Sequence, residues 1–353
     1  MPDKDINYVG KFETETFDVT FDVQGHGTAP ATQSISYGSK VNKVTPPSAA
    51  GYKFIGWYKE ATCENIWDFD NDTVEGPTTI YAKWTEVKEF SSASWEFIST
   101  QAGYLESGIG PWGGSYTTTD FCNAFTINSV TPTSMDDFIG QTKSISVTVD
   151  TEALTHSVRV IGTQHDTLAD SSTTAALTFE FGTLLSQYSG EHIGLGVKHT
   201  WMGGAEYPYA WETCGLRTYL NGVVINYLPN DLKNVLKTVK KETYDINSDQ
   251  NKEYDETVFI LSAKEMGYTG SEYAKDGSPY KYYEDCTSLE AQKRQKKDWY
   301  KDMSDYTYWT RSTYADNSST GDLKAWYVET SGTLAYSSKD KGYALMLAPA
   351  FCI

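Results

Sequence analysis

Lys143-Ser144-Ile145-Ser146-Val147-Thr148-Val149 carries an apolar side chain at every second position, and His156-Ser157-Val158-Arg159-Val160-Ile161-Gly162 follows across the polar Asp150-Thr151-Glu152. A period of two gives a strand one face to bury and one to leave in water. Two such runs joined by a short polar turn predict an antiparallel hairpin. Working outward, Ala175 to Phe181 supplies a third strand, and Val258–Leu261, Trp326–Val328 and Tyr343–Leu347 read as further buried strands. The apolar close, Leu345 to Ile353, reads as a final strand tying the chain end into a core. Helical spacing appears between these runs. Thr213 can cap a helix with its stripe at Leu216, Tyr219, Leu220 and Val223, and Asn230 or Asp231 can cap another with Leu232, Val235, Leu236 and Val239. Lys237, Lys240 and Lys241 would then occupy the last turn of the second helix, where cations suit the dipole. A third helix is expected to open at Thr287, with Glu290 completing a capping box. Strands mixed with helices in this order predict an α+β domain with a mostly antiparallel sheet.

The segment before this domain has its own pattern. Phe17 to Val23 alternates, Gly25-His26-Gly27 supplies a turn, and short strands are expected at Ile35–Gly38, Gly51–Tyr58 and Thr78–Trp84. Gly56 is expected where a neighbouring backbone comes close. The chain of 353 residues exceeds what one core usually serves, so more than one domain is required. The organisation expected is an N-terminal extension over 1–16, a small β-rich module over 17–86, a polar linker over 87–94 and the larger domain over 95–353.

A net charge of −18 argues against nucleic acid as a partner, since phosphate binding needs clustered Lys and Arg. No apolar stretch is long enough to span a bilayer, and Met1–Gly10 has neither the basic start nor the apolar run of a secretory signal. Cys63, Cys122, Cys214, Cys286 and Cys352 are widely spaced, with no C-x-x-C pair to hold zinc, and their disulfide state is left open.

Within the first module, VTFDVQGHGTAP, GYKFIGWYKEATCENIWDFD and TTIYAKWT resemble one copy of the Listeria–Bacteroides repeat, the internalin-B type. The resemblance implies a small β-grasp-like module of surface proteins, used as a spacer or adhesive stalk. The larger domain, through AWETCGLRTYLNGVVINYLPNDLKNVLKTVKKET, VFILSAKEMG, YWTRSTYA and the closing APAFCI, resembles an uncharacterised domain common in extracellular proteins of gut Firmicutes. Thr310 and Thr313 depart from its usual Leu and Pro. Its layout is also similar to C-type-lectin-like folds.

Gly108-Ile109-Gly110-Pro111-Trp112-Gly113 fits a dinucleotide loop only on paper, because Pro111 removes a phosphate-facing N–H and Trp112 would crowd the phosphates. Asp68-x-Asp70-x-Asp72 starts like a calcium loop, yet Thr73 and Thr79 replace the required Gly and Glu. Glu191, His192 and His199 lack helical metal-ligand spacing, and the basic run Lys293–Lys297 reads as a solvated helix face. No cofactor and no metal ligands are therefore expected. Two aromatic, loop-like stretches suit recognition: Trp201, Tyr207, Tyr209 and Trp211, then Tyr306, Tyr308, Tyr314, Asn317 and Tyr336. Flat aromatics beside amides and carboxylates stack on sugar rings or protein epitopes. Trp309, Arg311 and Arg217 are expected to be structural, since a buried Arg fork ties loops to carboxylates and carbonyls.

The expectation is a non-catalytic binding or adhesion protein, extracellular and displayed on a bacterial surface or a phage particle. Its partner would be a surface glycan or protein, contacted in a homo-oligomer or surface assembly. The alternatives are a structural fibre or decoration protein of a virion, and an enzyme acting on surface glycans or peptides through unassigned carboxylates.

Overall fold

The computed structural model describes residues 14–111, 115–149, 152–182, 211–245, 248–271, 275–284, 307–315, 323–329, 331–338 and 347–353. The chain is multidomain and β-rich, with mostly antiparallel sheets and few helices. It divides into two compact units, one reaching Lys88 and including Gly108–Tyr116, the other comprising Glu89–Ser107 and Thr117–Ile353.

In the first unit β1 (Thr16–Asp22), β2 (Gln33–Ser36), β3 (Tyr52–Tyr58) and β4 (Thr78–Glu86) form one sheet in the order β2-β1-β4-β3. The central pair β1 and β4 is parallel, and the outer pairs are antiparallel. Alternation along β1 and β4 sends Val19, Phe21, Ile80, Ala82 and Trp84 inward, where they meet Trp57, Trp67 and Val74. A module this small needs large side chains to bury enough area, and three tryptophans supply it. Gly27 has φ +71°, and a Cβ there would lie 2.6 Å from the Ser48 carbonyl oxygen, so the turn after β1 requires glycine. Gly56 differs from expectation. It sits at a register shift in β3, and a Cβ would make ordinary contact with the Tyr58 and Ile66 side chains rather than with backbone.

The second unit contains β5 (Lys88–Glu89, its first residue belonging to the first unit), α1 (Trp95–Ser107), α2 (Thr118–Asn123), β6 (Phe125–Thr126), β7 (Thr142–Val149), β8 (Glu152–Thr163) and β9 (Leu177–Phe181). It continues with α3 (Gly215–Tyr219), α4 (Ile225–Tyr227), α5 (Asn230–Lys233), β10 (Val239–Asp245), β11 (Gln250–Glu256) and β12 (Val258–Ile260). α6 (Lys281–Glu284), β13 (Tyr308–Ala315), β14 (Leu323–Val328), β15 (Leu334–Ser338) and β16 (Pro349–Cys352) complete it. The expected hairpin forms as β7 and β8, paired from Thr142↔Arg159 to Val149↔Glu152. It extends into the sheet β12-β16-β9-β8-β7, where the last strand of the chain lies between β12 and β9. β10–β11 and β13-β14-β15 form separate antiparallel sheets. On one side of the main sheet Phe179 and Phe351 pack on Trp95, Phe179 also on Phe90, and Phe125 and Phe138 stand edge to face against Phe90. Each buried ring contributes roughly 1.5–3 kcal/mol.

Three helical expectations change. α1 was not foreseen. Ser94 Oγ accepts from Phe97 N, and the buried face runs Trp95, Ile98, Gln101 and Ala102, so a glutamine interrupts its apolar stripe. The helix expected from Thr213 starts at α3 behind a 3-10 turn, and Leu220–Val224 forms one π-helical turn. The wider turn moves the buried line to Leu216, Leu220 and Val224 and leaves Val223 exposed. The second helix stops at Lys233, and Val239–Asp245 is a strand with an alternating buried pattern. Lys240 and Lys241 therefore lie on β10, and Lys241 is buried. The helix expected at Thr287 lies outside the described residues, as do Tyr343–Met346, Glu191, His192, His199 and Lys293–Lys297. Cys63, Cys122, Cys214 and Cys352 are buried.

Candidate functional site

The expected recognition residues separate when placed on the fold. Trp201, Tyr207, Tyr209, Tyr306 and Asn317 lie outside the described residues, and Tyr314 is described only through its backbone in β13. Trp211 is 1% exposed and donates its indole N–H to Glu256 Oε1 at 2.7 Å. Tyr308 is 3% exposed, within the cluster that also holds Tyr280 and Tyr283. Neither ring faces outward, which corrects the surface expectation for both. The indole found a buried carboxylate, and Tyr308 begins a strand that the core covers. Tyr336 is 47% exposed, directly across from Trp326 with ring centroids 5.4 Å apart, so the β14–β15 pair presents it to solvent.

Of the three residues expected to be structural, Arg217 and Arg311 sit in ion-pair networks. Arg217 Nε meets Glu256 Oε1 at 2.6 Å, and Asn221 Nδ2 donates to Glu256 Oε2 at 3.3 Å, so one carboxylate gathers the 3-10 turn, α3 and the π turn. Arg311 is fully buried. It pairs with Glu265 at 3.0 Å and donates to the Ile260 carbonyl at 2.6 Å, the Glu242 carbonyl at 3.2 Å and Thr243 Oγ1 at 2.8 Å. Trp309, on β13, is 1% exposed.

Sequence reasoning missed a cleft of about 760 Å³. The end of α1 supplies Gly103, Glu106 and Ser107, the turn before β9 supplies Leu168–Ser171 and Thr173, and the approach to β10 supplies Leu236–Thr238. The walls are fixed by backbone bonds from Leu168 N to Thr173 O and from Ala169 N to Thr238 O, each 2.9 Å. Lys237 Nζ meets Glu106 Oε2 at 2.9 Å, while the buried Glu106 Oε1 has no hydrogen-bond partner among the described residues. Hydroxyls of Ser171 and Thr173 lie 2.8 Å apart on the opposite wall. A rim of carboxylate, ammonium and hydroxyls suits a polyhydroxylated or peptide ligand. These residues lie far apart in the chain and form no motif, so no sequence signal marks the cleft.

A second charged group lies buried in the same unit. Asp166 accepts from Lys241 Nζ at 2.7 Å, Thr178 Oγ1 at 2.6 Å and Tyr280 Oη at 2.8 Å. Burial would raise the Asp166 carboxyl, but the Lys241 charge beside it overcomes this and holds it well below the carboxylate range. Burial likewise acts against ionised Glu265, and the Arg311 and Lys241 charges keep it low. His165 Nδ1 lies 3.3 Å from Asp166 Oδ1 and its Nε2 lies 3.1 Å from Ser278 Oγ, a line of serine, histidine and acid. Pro279 follows the serine and has no N–H to offer an oxyanion. Among the described residues no group of His, Cys, Asp and Glu is placed to hold a metal ion.

Comparison with known proteins defines both parts by class. Residues 17–83 match the Listeria-Bacteroides repeat domain, and residues 183–353 match a domain of unknown function, DUF6273. The chain therefore carries one Listeria-Bacteroides repeat followed by a DUF6273 domain. It is similar to internalin H of Listeria monocytogenes, with 34% identity over 87 residues, 24% of this chain and 15% of that protein. It is also similar to a Gly-rich protein of Evansella cellulosilytica named as a membrane protein, with 37% identity over 81 residues, 23% of this chain and 9% of that protein. The chain thus spans a small fraction of the length of these relatives. Among the described residues no helix is long and apolar enough to cross a membrane.

Proposed function

We propose that this protein is a non-catalytic binding protein displayed at a bacterial surface, where the repeat mounts the larger unit and the larger unit contacts a surface glycan or protein. The observation that carries this reading is the Listeria-Bacteroides repeat shared with internalin H and with a relative named as a membrane protein. The cleft beside Glu106 and Lys237, with Tyr336 exposed elsewhere on the same unit, supplies contact chemistry for it. The β2-β1-β4-β3 order with a parallel central pair supports a β-grasp-like repeat. A chain end held in a central strand fits a C-type-lectin-like larger unit. No observation favours the virion reading.

The test is binding of the full chain to a glycan array and to intact cells, beside the variants Glu106→Ala and Tyr336→Ala. The reading expects saturable binding that one of these substitutions weakens tenfold or more, about 1.4 kcal/mol. Absence of binding across both platforms contradicts it.

The Ser278–His165–Asp166 line supports a second reading, a serine hydrolase. Labelling of Ser278 by a fluorophosphonate, abolished by His165→Ala, would establish it. An unlabelled Ser278 removes it.

A further inference from the structure

Lys241, Asp166 and Glu265 meet in the buried interior of the larger unit. Their side chains are 2%, 3% and 2% exposed, Lys241 Nζ lies 2.7 Å from Asp166 Oδ1, and it lies 2.5 Å from Glu265 Oε1. The surroundings are apolar: Nζ stands 4.6 Å from the Phe259 ring centroid and 5.0 Å from that of Tyr280, with Ile161, Leu168 and Met266 in the same cluster. The three residues come from separate segments. Lys241 is on β10, Asp166 lies between β8 and β9, and Glu265 lies beyond β12.

Burying ions is costly, and attraction between partners only partly offsets it. Arg311 is a second cation, paired to Glu265 at 3.0 Å, and the buried Asp276 is a third carboxylate that interacts with both. At rest Lys241 and Asp166 hold each other charged, the carboxyl low and the ammonium high; the step therefore begins when the Lys241 proton passes to Asp166 and leaves a neutral amine beside a neutral acid. That is the reactive form of both groups. The amine is already in contact with the carboxyl, so the reaction needs no diffusion or ordering of partners.

We propose that Lys241 and Asp166 condense to an intramolecular amide, with Glu265 as the proton-transferring residue. The Nζ lone pair attacks Asp166 Cγ and forms the C–N bond. Glu265, in contact with Nζ, takes a proton from the nitrogen and delivers it to the departing hydroxyl oxygen. The C–O bond breaks and one water leaves. Amine plus carboxylic acid gives amide plus water, Glu265 ends as it began, and no oxidant, reductant or further reactant is needed. Tyr280 Oη, within 3.0 and 2.8 Å of the two Asp166 oxygens, and Thr178 Oγ1, 2.6 Å from one, are placed to stabilise the developing oxyanion. The product keeps one compensated buried pair, Glu265 with Arg311, in place of two.

The link would close the chain between residues 166 and 241, tying β10 to the segment entering β9 as a disulfide would, but beyond the reach of reductants. It stands independently of the binding proposal. It competes with the hydrolase reading, because an amide at position 166 carries no charge to stabilise an imidazolium at His165.

Mass spectrometry of the purified, folded full chain tests it, first intact and then after proteolysis. The expected result is a peptide pair joining the segments around 166 and 241, lighter than their sum by one water. Lys241→Met and Asp166→Ala should each restore the full sequence mass, and Glu265→Gln should restore it in most molecules. A folded wild-type chain that yields both peptides unlinked at full mass overturns the proposal, and needs no variant to fold. Loss of water that persists in Lys241→Met also overturns it.

Discussion

Glu256 shows what a single buried carboxylate does in this chain. It accepts from Trp211, Arg217 and Asn221, and so fastens three turns of irregular helix to the end of β11. Replacing it by alanine leaves a partly buried guanidinium without its partner and an indole N–H without an acceptor. Glu256→Ala is expected to cost about 3–5 kcal/mol, read as a lower urea midpoint with an unchanged slope. His156 gives a pH dependence. Burial lowers its imidazole from the ordinary 6.5, so the unfolded chain binds a proton more readily than the folded one. Its contribution is complete above about pH 6.5 and is lost as pH falls toward the folded value. The melting temperature should therefore drop between pH 7 and pH 5 by more in the wild type than in His156→Phe. Equal drops would contradict this.

At the scale of elements, the β8–β9 pairing depends on one close approach. The register shifts between Val160 and Gly162, and a Cβ at Gly162 would lie 2.6 Å from Tyr280 Cδ1. Gly162→Ala must displace Tyr280, which hydrogen-bonds Asp166 and lies tilted against the His165 ring, so a loss of about 1–3 kcal/mol is expected in thermal or urea unfolding. An unchanged midpoint would show that the ring moves freely. The strands around this point were legible in sequence because each alternates with apolar residues. β10 was not. Its buried positions are Val239, Lys241, Thr243 and Asp245, so the inward face is mostly polar and its period of two is hidden. The helical spacing of Leu232, Val235, Leu236 and Val239 then read through into the strand. Arg311 was legible as a structural fork because its residue type has few other uses when buried. Its partner Glu265 and the neighbouring Lys241 and Asp166 were not, because nothing in sequence pairs residues so far apart. The cleft escaped for the same reason.

For the whole molecule, among the described residues the buried cluster of the first unit draws on Val19 through Trp84. A fragment of residues 14–88 should therefore show dispersed amide signals and cooperative unfolding, whereas a molten fragment would mean that Gly108–Tyr116 is indispensable. The acidic excess, −18 over the chain, keeps such a protein dispersed and leaves recognition to local chemistry. The central claim is that the larger unit presents the contact surface. Hydrogen exchange of the full chain, with and without the strongest glycan from the array, addresses it most directly. The account predicts slowed exchange in residues 103–107, 168–173 and 236–238, which line the cleft. Slowed exchange confined to residues 17–83 would place binding on the repeat and contradict it.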